Sequence, residues 1–385
     1  LRAEYTAIIL KCKIVNRNRV IATEKELPMP TATRFQIFDG HNDSLLEQLM
    51  PHDGVLRSFF EENTGSQVDL PRLRKGGVVG GMFAMFVPPE GGRLKPDKED
   101  LVLTADGYRV IPQPPVPNAY AVQITGQMLD LAERLVAESN NALAIATDID
   151  SLRANIERDV VSMILHFEGA EAIWTDLANL PDYYNRGLRS LGPVWSRDNA
   201  FGHGVPFCYP STPDTGPGLT EAGRELVKAC NSLGIVLDLA HLNEKGFWDV
   251  ARLTDRPLVV SHAAANALTR TSRNLTDKQL AAIGESDGVV GLNFCISDLH
   301  PTGQNDKTLP LSRLVEHLAY IADLIGVEHV AFGSDYDGAT ISEAIPDVSY
   351  FPIITDALQR AGFDDHSIRL IASENWLRVL TKTWQ

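Results

Sequence analysis

Eight short β-prone runs, separated by stretches of helical period, limit what this chain can fold into more than any other feature. They are residues 35–41, 77–87, 161–167, 188–195, 234–241, 257–262, 289–294 and 329–335. Most are apolar on both faces, as strands covered on both sides must be, and strands alternating with helices point to a parallel sheet. The stretch from Thr220 to Leu233 shows the helical alternative: Leu226, Val227 and Cys230 recur at three- and four-residue steps behind a threonine N-cap. Eight such units over about 300 residues predict a (β/α)8 TIM barrel with insertions. Residues 35–385 are expected to form this single domain, and residues 1–34 an N-terminal extension that carries little information. A further β-like run, residues 143–147, exceeds the count and is assigned to a long insertion after the second strand. Two irregular stretches in that insertion, 88–99 and 111–118, read as a lid or as a surface excursion.

The residues that break the apolar pattern fall at the same end of the runs. His41 and Asp43 close the first, Glu168 the third, His241 the fifth, His262 the sixth and Asp335 the eighth. In a parallel barrel those ends meet on one face. His41 and Asp43 are two apart, so strand alternation aims both side chains the same way. Carboxylates and imidazoles gathered there would each carry a burial penalty of about several kcal/mol without compensation. Divalent cations remove that penalty, and oxygen and imidazole donors without thiolate suit Zn²⁺, Mn²⁺ or related ions. An odd carboxylate among histidines suits a bridged pair, which can polarise a carbonyl and activate water.

Composition narrows the partners. With 35 basic and 50 acidic residues the formal net charge is −15, which repels phosphate backbones and anionic lipid. No nucleic-acid partner is expected. The four cysteines (Cys12, Cys208, Cys230, Cys295) are widely spaced and suggest neither a disulfide framework nor a thiolate metal site; most read as small buried hydrophobes. The first apolar run, residues 7–10, is too short for a signal-peptide core or a membrane span, which favours the cytoplasm.

Six blocks resemble the renal (membrane) dipeptidase family, the M19 metallopeptidases among the amidohydrolase-like barrels. They are DGHND (39–43), HFEGAEAI (166–173), GLTEAGRELVKACNSLGIVLDLAHL (218–242), PLVVSHAAANALTRTSRNLTD (257–277), GVVGLNF (288–294) and FGSDYDG (332–338). The resemblance implies two divalent metal ions, zinc in the first instance, with His41 and Asp43 on one, His241 and His262 on the other, and Glu168 between them. It implies that Asp335 handles the proton of a bridging hydroxide and passes it to the leaving amine, a task amide hydrolysis requires. Arg273 falls where the family holds the substrate carboxylate, for which its planar fork is suited. Asn293, in GVVGLNF, is assigned to the substrate side. The family's substrate-binding histidine after the fourth strand is replaced by Trp195, whose indole can donate one hydrogen bond but carries no charge. Arg197 or His203 could supply that charge.

Two further polar residues belong beneath the metal ligands. Asp39 should face inward one layer below His41 and orient it, and His166 is either a layer residue or a partner that steadies Glu168. The expected activity is hydrolysis of small dipeptides, with tolerance of a D-residue in second place implied by the resemblance. The alternatives are another small amide, such as an N-acyl amino acid or a lactam, and a catalytically silent metal-binding barrel. Homodimers are common in the family.

Overall fold

Every expected run contains a strand, but several strands are shorter than their apolar stretch. The computed structural model describes residues 35–91 and 100–384. In chain order its strands are β1 (Ile37–Asn42), β2 (Val78–Phe86), β3 (Leu101–Leu103), β4 (Tyr108–Val110), β5 (Leu143–Ile145), β6 (Val161–Glu168), β7 (Leu188–Gly192), β8 (Cys208–Tyr209), β9 (Val236–Leu237), β10 (Val259–Ala263), β11 (Val289–Leu292) and β12 (Val330–Phe332). The N-terminal extension 1–34 lies outside the described residues, as do residues 92–99 of the first irregular stretch.

The closed eight-stranded TIM barrel expected from the sequence is not formed. Parallel pairing runs β1-β2-β6-β7-β9 and stops, an open half-barrel with β5 alongside the start of β6, while β10-β11-β12 make a second parallel sheet. The cause lies at the strand ends. His241 and Asp335 both have φ of 63°, in the left-handed region, so the chain has already left the extended state where the apolar pattern still reads as strand. Between the sheets, single-residue bridges remain, Asp238 with Val259 and Asn42 with Tyr336.

At each seam an aspartate takes the place of a ladder carbonyl. Asp238 accepts the Ser261 N–H at 2.7 Å and the Ser261 hydroxyl at 2.6 Å. Asp39 accepts the Ser334 N–H at 2.8 Å and the Ser334 hydroxyl at 2.7 Å. A carboxylate with two acceptor oxygens satisfies backbone that the interrupted sheet would otherwise strand in the interior.

Both sheets share one inner cluster: Phe38, Met82, Ile164, Val236, Val259, Val289 and Ala331, one from each of seven strands, with Trp376 from the last helix. The Trp376 indole N–H donates to the Phe332 carbonyl at 2.9 Å, so this large ring is buried without an orphaned donor. Truncating it to alanine would cost about 3–5 kcal/mol. Gly291 and Gly333 are required beside it, because a Cβ at either would collide with the Ser261 carbonyl.

The helix expected after Thr220 runs Glu221–Leu233. The Thr220 hydroxyl accepts the Gly223 N–H at 3.1 Å, and Gly234 at φ 69° ends it. The insertion after β2 holds structure that the sequence did not announce. β3 and β4 pair antiparallel and join β8, which ties the insertion to the segment after β7. Residues 111–117 are irregular, and Asn118 opens the helix Asn118–Glu138. Cys230 is buried and Cys208 and Cys295 are half-buried. No helix among the described residues is long and apolar enough to cross a membrane.

Candidate active site

The open ends of the two sheets bring six side chains together. His41 is the penultimate residue of β1, and its Nε2 lies 3.2 Å from Asp43 Oδ2 and 3.7 Å from Glu168 Oε1. Glu168, the last residue of β6, also has Oε1 2.9 Å from His241 Nε2 and 3.7 Å from His262 Nε2. The two imidazole Nε2 atoms of His241 and His262 are 2.9 Å apart. Asp335 follows β12 and its backbone N–H donates to the His41 carbonyl at 3.0 Å, which anchors the eighth run to the first. Gly338 packs so closely that a Cβ there would strike both Asp43 and Asp335.

Burial dominates the electrostatics. It raises the Glu168 carboxyl well above its ordinary range, against the pull of His41. It pushes Asp335 up to about 7, again opposed by His41. Burial, with Arg273 and His41 adding to it, holds His241 and His262 well below the usual histidine range. His41 moves the other way: burial opposes its imidazolium, but Glu168 and Asp43 lift it to about 10. Protons thus gather where carboxylates crowd, as expected of a donor set built for cations. Ligand atoms of His41, Glu168 and His262, and of His41, Asp43 and Asp335, fall in two groups within 4.8 Å that could each hold a metal ion. The two groups overlap at His41 and together suggest a binuclear metal site. Their oxygen and imidazole donors fit divalent metals without thiolate.

Comparison with known proteins decides what this site belongs to. The model of the membrane dipeptidase family, peptidase family M19, matches residues 29–385. The chain belongs to the membrane dipeptidase family. It is a metal-dependent dipeptidase acting on small dipeptides. It is similar to an uncharacterized protein in the pqqA 5' region of Klebsiella pneumoniae, 41% identical over 267 residues, 69% of this chain and 97% of that one. Among solved structures it resembles a metallo peptidase from Rhodobacter sphaeroides liganded with a phosphinate mimic of the dipeptide L-Ala-D-Ala. That likeness has TM-score 0.85 and 42% identity, over 91% of this chain and 99% of the other. The probable dipeptidase PvdM from Pseudomonas aeruginosa, at 20% identity and TM-score 0.76, over 91% of this chain and 96% of that one, shares the fold.

The dipeptidase has a cavity of about 520 Å³ at this site, lined by Asp43, Glu168, His241, Arg273, Asn293 and Asp335 among others. Arg273 is buried, and its Nη2 donates to the His262 carbonyl at 3.2 Å. The Asn293 amide donates to Asp335 Oδ2 at 3.1 Å and lies 3.4 Å from Asp298 Oδ2, so this residue bonds Asp335 as well as facing the cavity. Trp195 lines the cavity with Phe86 and Phe207, ring centroids 4.8 and 5.5 Å from its own, and sits 5.7 Å from the His241 ring. One wall beside His241 is therefore aromatic.

Neither residue considered as a source of charge beside Trp195 lines the cavity. Arg197 is buried behind the aromatic wall, bonded to Glu171 Oε1 and to the Val87 carbonyl, each at 2.9 Å. His203 pairs with Asp198 at 2.9 Å on a partly exposed loop. Asp39 lies below His41, its Oδ1 3.5 Å from the His41 N–H, and burial raises it to about 6. His166 stands beside Asp238 at 3.4 Å and bonds Ser190 at 2.9 Å, with its ring edge-on to His41. Asn42 faces away, toward Ser44 and the Met82 carbonyl.

Asp298, Asp238, Ser261 and Ser334 escaped the sequence reading. One signal was present: Ser261-His262 and Ser334-Asp335 each place a serine directly before a strand-end residue. Asp298, buried in the cavity wall, accepts the Thr271 hydroxyl at 3.0 Å and carries no such mark.

Proposed function

We propose that His41 and Asp43 hold one cation, His241 and His262 the other, and Glu168 bridges them, with zinc as the ion of choice. The convergence of these five donors on one buried cluster, in a cavity that also presents Arg273, carries the reading. Cations bound there would polarise the scissile carbonyl and lower the pKa of water into the neutral range. The rest is done by the chain. Arg273 receives the C-terminal carboxylate and so sets the register of a short substrate. Asp335 takes the proton of the attacking water and returns it to the departing amine at the same face. Asn293 keeps the Asp335 carboxylate aimed.

The likeness to an enzyme liganded with an L-Ala-D-Ala mimic supports dipeptides with a D-residue in second place. The aromatic wall of Phe86, Trp195 and Phe207 favours an apolar side chain over a charged one on that side of the cavity. A panel of L,L and L,D dipeptides, with the protein loaded with zinc, tests the proposal. Turnover of L,D dipeptides with apolar side chains is expected; confinement of activity to L,L dipeptides would overturn the stereochemical part.

A further inference from the structure

His241 and His262 both end, on the side away from Glu168, on a serine. His241 Nδ1 is 2.7 Å from Ser196 Oγ, and His262 Nδ1 is 2.8 Å from Ser261 Oγ. The Nδ1 of His41 is buried and unpartnered. Ser261 differs from Ser196 in one respect: its hydroxyl is also 2.6 Å from Asp238 Oδ2. The other Asp238 oxygen accepts the N–H groups of Ser261 at 2.7 Å and Ala240 at 3.1 Å.

A carboxylate only accepts, so the single hydroxyl proton of Ser261 goes to Asp238. The Ser261 oxygen is then left to accept from His262, which places the imidazole proton on Nδ1. The lone pair falls on Nε2, the nitrogen that faces Glu168 and His241. We infer that Asp238, acting through Ser261, is a positioning residue that locks His262 in the tautomer able to bind a cation. The inference rests on the reading of His262 as a ligand. His166 Nε2 stands 3.4 Å from the same carboxylate, and its Nδ1 is taken by the Ser190 hydroxyl at 2.9 Å. It does not compete for the Ser261 hydroxyl.

Asparagine at 238 inverts the chain of donors. Its amide N–H₂ would donate to Ser261 Oγ, the hydroxyl proton would turn toward His262 Nδ1, and the imidazole proton would move to Nε2, where it blocks the cation. Asp238→Asn should therefore weaken one of two zinc equivalents by about 10–100-fold and spare the other. Ser261→Ala should act in the same direction, and Ser261→Thr should restore affinity.

The measurements are a zinc titration of the metal-free protein by calorimetry and the ¹⁵N shifts of its imidazoles, with the His262 signal assigned by its loss in His262→Gln. Wild type is expected to show His262 protonated on Nδ1, and Asp238→Asn on Nε2. An unchanged tautomer in Asp238→Asn, or equal weakening of both equivalents together with a lower melting temperature, would overturn the inference and leave Asp238 a joint between the sheets. If His262→Gln weakens neither equivalent, the ligand assignment itself fails, whatever Asp238 does.

Discussion

Asn293 donates to Asp335 at 3.1 Å from the end of the neighbouring strand, and this amide favours the ionised form of a carboxyl that burial raises, leaving it at about 7 with the bond in place. Replacing Asn293 with leucine removes a bond worth about 1 kcal/mol. The Asp335 carboxyl should then rise further, and the acid limb of the pH–rate profile should move up by about one unit. An unshifted limb would detach Asn293 from Asp335.

Asp335→Asn keeps the shape of the side chain and removes its basicity. Metal content should stay near that of wild type while kcat falls by about 10²–10⁴-fold, the usual worth of a placed general acid or base. Elemental analysis beside steady-state kinetics separates the two effects, and retained turnover would strip Asp335 of its role.

Arg273→Lys preserves charge and loses the planar fork. The effect should appear in KM, up about tenfold or more for free dipeptides, since a charge-assisted hydrogen bond is worth about 1.5–3 kcal/mol. Dipeptide amides, which lack the carboxylate, should be almost insensitive to the substitution. Equal losses on both substrate types would count against carboxylate binding.

Arg197 and Glu171 form a buried pair behind Trp195. Arg197→Met leaves buried Glu171 without its partner and should destabilise the fold by about 3–5 kcal/mol, while a double replacement with apolar residues should recover much of the loss. Because Arg197 does not line the cavity, kcat of the folded single variant should change little. Chemical denaturation and kinetics on the same preparations check both halves.

His317, which does not line the cavity, tests stability against pH. Its Nδ1 accepts the Ala265 N–H at 3.2 Å and its Nε2 lies 3.3 Å from the Thr269 hydroxyl, which itself donates to the Leu299 carbonyl. Burial, and then Arg313, lower its pKa to about 3. The folded protein therefore keeps His317 neutral while the unfolded chain binds a proton below its ordinary value of 6.5. Stability is fully present above that value and is lost as pH falls toward about 3, by roughly 3 kcal/mol at pH 4. His317→Asn, whose side-chain oxygen can still accept from Ala265, should flatten the dependence of the denaturation midpoint between pH 7 and 4.

The meeting of His41, Asp43, Glu168, His241, His262 and Asp335 is legible in the sequence because each violates an apolar run at its end, and hydrophobic pattern is what short strands write most plainly. Where those strands stop is not legible. A run such as 329–335 keeps its apolar look through Phe332, and nothing in residue type announces that Asp335 turns to positive φ. A turn of this kind stands at each gap between the sheets, His241 beside β9 and Asp335 beside β12. Asp238 and Ser261 were hidden for another reason: an aspartate and a serine that satisfy each other in the interior leave no periodic trace. Arg197 looked available for substrate because its partner Glu171 lies 26 residues earlier, a pairing only tertiary structure reveals.

The carbonyl of Ser261 faces Gly40, Gly291 and Gly333, three positions with no side chain to move aside. Beneath His262 the support is thus main chain against main chain, and main chain has no rotamers. Such a floor cannot repack to follow an ion of different radius. Under the proposed ligand assignment, adjustment to one metal or another comes from the side chains above it, and natural variation among relatives should concentrate on the rim while these three glycines stay fixed.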